Sequence, residues 1–442
     1  MLRSFLVLCL AFSLAACGGG GGGGGSSSSS GGGSGGGSGG TPTPTLTNFA
    51  TVTIDQGPSA LSLGPNGYSA YNTAYVSVTL CAPGTTTCQT IDHIQLDTGS
   101  EGLRVLRSAL NSSLLSALPL QTQASGNPVG ECYTYVDGYV FGSVRSADFT
   151  FGGKTVSAMP FHVIADTGQF ANPPTSCTSG GGNNLTTVQD FAANGILGIG
   201  TQTTDCGQNC TVVNGYGAAS YYDCPTSGCG AIIARAASTS APFQQLPNPI
   251  AAFSSDNNGT IVSLPAVAAG GAPSVSGTVY FGIGTQTNNG LGSATILTTT
   301  SSSSGLGPGL IIAGYRGRNL DQSFLDTGSN SYFFVDSTIP NCTSAQETSY
   351  YCPNPSLSIS VTLSGTNGAS KSGNFTLYNA DSLLNSVNSA LPGIGDNPKI
   401  ASNLTPYSNS FDFGLPFFYG RTVYTALEGR TAGGTVGPYV AF

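Results

Sequence analysis

From Asn48 onward, apolar and polar positions alternate in short runs separated by glycine, asparagine and proline. Residues 74–80 place Val76, Val78 and Leu80 on one side and Tyr75, Ser77 and Thr79 on the other. A period of two marks a strand with one buried face. Residues 147–156 and 277–282 show the same pattern between glycines and are expected to be strands too. Helical periodicity is confined to residues 103–115 and 380–387. Strands do not alternate with helices as a parallel α/β sheet requires, so the expected fold class is mainly β.

Two of the apolar runs end in the same word. Leu96-Asp97-Thr98-Gly99-Ser100 recurs as Leu325-Asp326-Thr327-Gly328-Ser329, 229 positions later. That period is far too long for a solenoid and implies two related halves. Each half also carries a later glycine-containing apolar segment, residues 194–200 (Asn-Gly-Ile-Leu-Gly-Ile-Gly) in the first and residues 411–418 (Phe-Asp-Phe-Gly-Leu-Pro-Phe-Phe) in the second. A third Asp-Thr-Gly, at Asp166-Thr167-Gly168-Gln169, lacks the serine and reads as a turn in which aspartate favours the bend.

Composition narrows the setting. The chain of 442 residues is long enough for one large two-part unit. Only 7% of its residues are charged and the net charge is −8, so nucleic acid is not an expected partner. Arg3, an apolar stretch over residues 5–14 and Leu14-Ala15-Ala16-Cys17 resemble a bacterial lipoprotein signal, with Cys17 as the lipidated residue. Gly18 after Cys17 fits an outer-membrane address in the cell envelope, and the lipid would be the only link to the membrane. Residues 18–40 are almost pure Gly and Ser, followed by a Thr-Pro repeat; such a tether has no apolar surface to offset chain entropy. The expected division is 1–16 signal peptide, 17–47 lipidated cysteine and tether, 48–235 N-terminal lobe with a Cys-rich insertion, and 236–442 C-terminal lobe.

Of the 12 cysteines, Cys9 and Cys17 belong to the leader and an even set remains, which in an exported chain argues for disulfides. Cys81 pairs with Cys88 by proximity and Cys342 with Cys352. Cys206, Cys210, Cys224 and Cys229 cluster, leaving Cys132 for Cys177. A zinc site in that cluster is the competing reading; its irregular spacing argues against it, and no metal or cofactor is expected. His93 and His162, the only histidines, do not suffice for a serine triad or a zinc site; His93 is expected to pack at a strand edge.

These motifs, in this order over most of residues 48–442, resemble the pepsin-like aspartic peptidases, a bilobal fold with pseudo-twofold symmetry. The chain also resembles an uncharacterised group of bacterial lipoproteins. The resemblance implies that Asp97 and Asp326 are the catalytic pair. Thr98, Gly99, Ser100, Thr327, Gly328 and Ser329 would support them, the threonines bonding across the lobes and each serine bonding the outer oxygen of its aspartate. Tyr135 would sit on a flap hairpin, although Tyr133 and Tyr139 share its strand face and leave a core or surface tyrosine open. Phe413 to Tyr424, with Gly414, Phe417 and Arg421, matches the C-terminal segment, Arg421 being structural. The departures are specific: there is no tryptophan, Arg104 stands near its usual place, Val136 replaces the flap glycine, residues 201–235 are an insertion, and no inhibitory pro-segment is evident. Glu101 is read as facing solvent, with perturbation of the acid pair as the alternative.

Two carboxyls about 3 Å apart cannot both ionise, so one can act as base and the other as acid toward water and a peptide carbonyl. The leading expectation is therefore a monomeric, envelope-anchored aspartic endopeptidase acting on a peptide or protein held between the lobes. The alternatives are a catalytically inactive member of that fold serving as a binding or structural module, and a surface adhesin or carbohydrate-binding β protein.

Overall fold

The computed structural model of the chain describes residues 47–61, 69–180, 182–213, 218–304, 307–344, 348–398 and 408–442; the expected signal segment, Cys17 and the Gly/Ser tether lie outside them. The protein is mainly β, with a 16-stranded and a 7-stranded sheet carrying most of it. The larger sheet runs from the hairpin Val129–Thr134 and Gly138–Phe151 through Lys154–Ile164, Glu101–Leu106, Gly195–Ile199, Cys88–Asp97 and Tyr75–Cys81 to Phe49–Ile54. It then continues into strands from the second half of the chain. Phe49–Ile54 pairs antiparallel with Val275–Phe281, followed by Gly259–Ser263 and Thr422–Ala426. The smaller sheet is built around Ile311–Tyr315, Arg318–Leu325, Asp412–Phe413 and Tyr332–Phe333.

The alternating pattern of residues 74–80 becomes the strand Tyr75–Cys81, with Val76, Val78 and Leu80 buried and Ser77 exposed. Residues 277–281 fall in Val275–Phe281, and Gly282 lies just past its end. The single strand expected at 147–156 is two. The chain reverses at Gly152 and Gly153, both at positive φ (53° and 81°), and Gly138–Phe151 pairs with Lys154–Ile164. A side chain at Gly152 would meet the Phe49 carbonyl at 2.5 Å, so only glycine allows that reversal.

The helix expected over 103–115 is also corrected. Glu101–Leu106 is a strand with all six residues buried, a single 3-10 turn follows at Arg107–Ala109, and the α-helix is confined to Ser112–Ala117, capped by the Asn111 side chain. Leu103, Leu106, Leu110 and Leu114 mimic a helical stripe because a doubly buried strand is followed at once by a short amphipathic helix. Ala380–Leu384 is helical, as expected, with Asn379 as its cap.

Five disulfides close: Cys81–Cys88, Cys132–Cys177, Cys206–Cys210, Cys224–Cys229 and Cys342–Cys352. The four-cysteine cluster thus resolves into two bridges. In the second half the core is aromatic. The rings of Phe334, Phe411 and Phe413 stack in series, with centroids 4.4 and 4.3 Å apart.

Candidate functional site: a paired carboxyl seam

The strand Cys88–Asp97 delivers Asp97 at its last residue, the chain turns through Thr98-Gly99-Ser100, and Glu101–Leu106 returns. Between them runs Gly195–Ile199, parallel to the first strand and antiparallel to the second. The second half repeats the arrangement. Arg318–Leu325 leads into Asp326, Tyr332–Phe333 returns, and Asp412–Phe413 lies between them, parallel to one and antiparallel to the other. A glycine within the first inserted strand and one directly after the second are crowded by the chain that leaves the aspartate loop. A Cβ on Gly198 would fall 2.5 Å from the Glu101 nitrogen, and one on Gly414 2.2 Å from the Ser331 carbonyl oxygen. The paired glycine-containing apolar segments have this physical reason.

The two turns meet. The Thr98 N–H donates to Thr327 Oγ1 at 3.0 Å and the Thr327 N–H to Thr98 Oγ1 at 3.0 Å. Each hydroxyl then donates onward to the opposite strand, Thr98 to the Leu325 carbonyl (3.3 Å) and Thr327 to that of Leu96 (2.7 Å). Gln95 adds a bond to the Gly328 carbonyl at 2.8 Å. Five backbone groups in and beside the two buried loops therefore find a partner in the other half, and buried hydrogen bonds of this kind are costly to lose.

Asp97 and Asp326 face one another within hydrogen-bonding reach at this seam, and both are buried. Gly99 and Gly328 let the loops approach: a Cβ on Gly99 would lie 2.8 Å from Asp326 Oδ1, and one on Gly328 2.6 Å from Asp97 Oδ1. Each glycine N–H donates to Oδ1 of its own aspartate at 2.7 Å. Ser100 donates to Asp97 Oδ2, and Ser329 to Asp326 Oδ2 at 2.8 Å. Burial, then the neighbouring Asp97 charge, push the Asp326 carboxyl well above the usual carboxylate range. The arrangement can hold one proton between two acids and present both an acceptor and a donor to a polar bond placed over them.

Glu101 does not face solvent. It is 6% exposed, and its Oε1 accepts the Gln202 N–H at 2.9 Å. Desolvation pushes it up to about 8, aided by the Asp97 charge. The solvent-facing reading fails because Glu101 opens a strand buried on both faces.

Arg104, also fully buried, is a hub. Its Nη1 donates to the Glu101 carbonyl at 2.7 Å, and Nη2 reaches Glu131 Oε1 at 2.7 Å and Asp205 Oδ2 at 2.9 Å. The guanidinium lies 3.6 Å from the centre of the Tyr133 ring. Tyr221 donates to Asp205 at 2.9 Å, and His162 Nδ1 lies 2.8 Å from Glu131 Oε2. Burial works against the Glu131 charge, but Arg104 holds its carboxyl far below the ordinary range. Burial, then Glu131, push Asp205 well up. Sequence reading marked Arg104 but missed Glu131, Asp205 and Tyr221. The available signal was a charge set between Leu103 and Val105, inside an apolar run, in a chain that has few charges at all.

Tyr135 lies at the tip of the hairpin formed by Val129–Thr134 and Gly138–Phe151, where its N–H donates to the Gly138 carbonyl at 2.8 Å. Its side chain is 4% exposed and packs on Tyr133 and Phe191, with centroids 4.9 and 6.3 Å away. Asp166 is more than a turn former. Its buried carboxylate takes hydrogen bonds from Ser143 (2.5 Å) and Arg145 (2.9 Å), anchoring the end of Lys154–Ile164. His93 contacts Asp55 and Asp92 at 3.3 Å each and packs edge-on to Tyr75. Arg421 donates to the Phe417 and Asn374 carbonyls and covers the Phe417 ring. Among the described residues, Cys342, Cys352 and Asp381 gather within metal-ligand spacing, but the two sulfurs form a disulfide and are not thiolates.

Fold and site together define a mainly β protein with two matched loops that pair two buried aspartates across a seam. A family model described as "Protein of unknown function (DUF3443)" matches residues 44–442, and the chain belongs to that family. No curated protein matches it. Among solved structures it is similar to the aspartic proteinase from Irpex lacteus, at 15% identity and a TM-score of 0.46, over 89% of this chain and 96% of that one. Likeness at that level says nothing of what this chain does.

Proposed function

We propose that this chain is an envelope-anchored aspartic endopeptidase with a pepsin-like, two-lobed plan, residues 48–235 forming one lobe and 236–442 the other. The observation that carries the reading is the Asp97–Asp326 pair: two buried carboxyls from distant, identical loops, in hydrogen-bond contact and locked by reciprocal threonine bonds. The duplicated three-strand arrangement around the loops supports it. The ionised member of the pair takes a proton from water as the water oxygen attacks the peptide carbonyl carbon. The protonated member gives its proton to the carbonyl oxygen. Collapse of the tetrahedral intermediate moves a proton to the amide nitrogen, breaks the C–N bond and leaves the pair with one proton again. Ser100 and Ser329 hold the outer oxygens, so each carboxyl keeps its orientation through both steps. Cys17 would carry the lipid and the Gly/Ser tether would hold the domain off an outer membrane.

The test is digestion of a peptide library by the disulfide-bonded domain from pH 3 to 7. Cleavage in the wild type, abolished in Asp97→Asn and in Asp326→Asn, is expected. Undiminished cleavage in the double variant overturns the proposal. A wild type that binds peptides without cleaving any would instead be an inactive binding module.

A further inference from the structure

The two three-strand units differ at one place beside the pair. In the first, Gln95 lies in register with Ile196, and the Gln95 amide crosses to the Gly328 carbonyl at 2.8 Å. In the second, the corresponding register pair is Phe324 and Asp412. The apolar partner and the polar one have exchanged strands, and the polar group has changed from an amide to an acid. The rings of Phe411 and Phe413 stack on one face of their strand, so Asp412, between them, projects from the other. It is 1% exposed. Neither of its carboxyl oxygens makes a well-formed hydrogen bond. The polar group acting on it is the Ser329 hydroxyl, which donates to Asp326 Oδ2 at 2.8 Å.

The charges around it all oppose ionisation. From the first loop Asp97 acts on Asp412, and from the second Asp412 acts on Asp326. On the packed strand Arg318–Leu325, Arg318 is turned to the Ser408 carbonyl and Asp321 to Asn409. Tyr332–Phe333 brings no charge. Burial, opposed only by Ser329, raises the Asp412 carboxyl well above the ordinary range. An ionised Asp412 would attract the Ser329 hydrogen more strongly than a neutral one does, and Asp326 would lose the donor that fixes its outer oxygen.

We propose that Asp412 is a third acid of this site, a positioning residue that stays neutral while the Asp97–Asp326 pair works and, on ionising, draws Ser329 from Asp326 and shuts the site. The shut-off role rests on the peptidase reading above. Neutrality of Asp412 does not.

The test uses the full mature chain and two variants, Asp412→Asn and the similarly sized Asp412→Leu, each checked for a wild-type melting profile at acid pH. Infrared spectra at neutral pH should show a protonated-carboxyl carbonyl band that both variants lose. The alkaline midpoint of peptide cleavage should move up by about one pH unit, a tenfold change in proton concentration, with the acid midpoint and KM at the optimum unchanged. A carboxyl band unaltered in either folded variant overturns the proposal, as does an alkaline midpoint that stays in place. If the wild type cleaves nothing, the peptidase reading and the shut-off role fall together, and the band still decides whether Asp412 is the neutral third acid.

Discussion

Asp97 and Glu101 are four residues apart and both buried, yet they are handled differently. Asp97 Oδ1 and Oδ2 each receive a hydrogen bond from their own loop. Glu101 has the Gln202 N–H and a desolvated site. Its folded carboxyl ionises near 8 against 4.5 in the free side chain, so the folded state holds a proton that the unfolded chain releases. The stability tied to Glu101 is therefore complete below about pH 4.5 and lost as pH rises toward 8. Glu101→Gln keeps the acceptor and removes the titration. It should flatten the melting-temperature profile between those limits and stabilise the protein at pH 7 by up to about 3 kcal/mol. A variant whose profile still falls in parallel with the wild type would show that Glu101 is ionised in the fold. The acid pair itself was legible in the sequence because the whole five-residue word repeats. Glu101 was not, because a single acid beside a loop looks the same whether its strand is buried on one face or two.

At the scale of elements, the hairpin Val129–Thr134 and Gly138–Phe151 has two side-chain attachments besides its strand pairing in the large sheet. Cys132 ties it to the short helix Thr175–Thr178 through Cys177, and Glu131 ties it to Arg104. The Cys132–Cys177 bridge closes 45 residues, whereas Cys206–Cys210 closes only four. Chain-entropy reasoning gives about 4 kcal/mol for the first and about 2 kcal/mol for the second. Replacing both cysteines by alanine should accordingly lower the denaturant midpoint more for Cys132 and Cys177 than for Cys206 and Cys210; the reverse order would mean that the hairpin is held by Arg104 and packing alone. Strands with one wet face, such as Tyr75–Cys81, could be read from alternation. Glu101–Leu106 could not, since a strand covered on both sides has no alternation to read. The hairpin turn at Gly152-Gly153 was legible only as a break in phase: Ala147, Phe149 and Phe151 keep step, Val156 does not, and the glycine pair between them otherwise reads as part of one strand.

Over the whole molecule, the halves are sewn together by more than the two loops. Asn72 donates to the Asn330 and Leu391 carbonyls and accepts from the Leu391 N–H and the Tyr419 hydroxyl. Phe49–Ile54 runs six residues beside Val275–Phe281. The repeat in the sequence announced two related halves, but it carried no sign of these bonds, which join residues that share no motif.

The chain has 20 acidic side chains, and Glu101, Asp205, Asp326, Asp396 and Asp412 are all buried and raised above their ordinary range. Each would surrender its hydrogen ion once wetted, so melting this molecule near neutrality must acidify its surroundings. Calorimetry in Tris should then record a smaller apparent enthalpy than in phosphate at equal pH, because Tris gives out more heat on capturing the released ions. Identical heats in the two buffers would mean that these acids are already charged in the folded state.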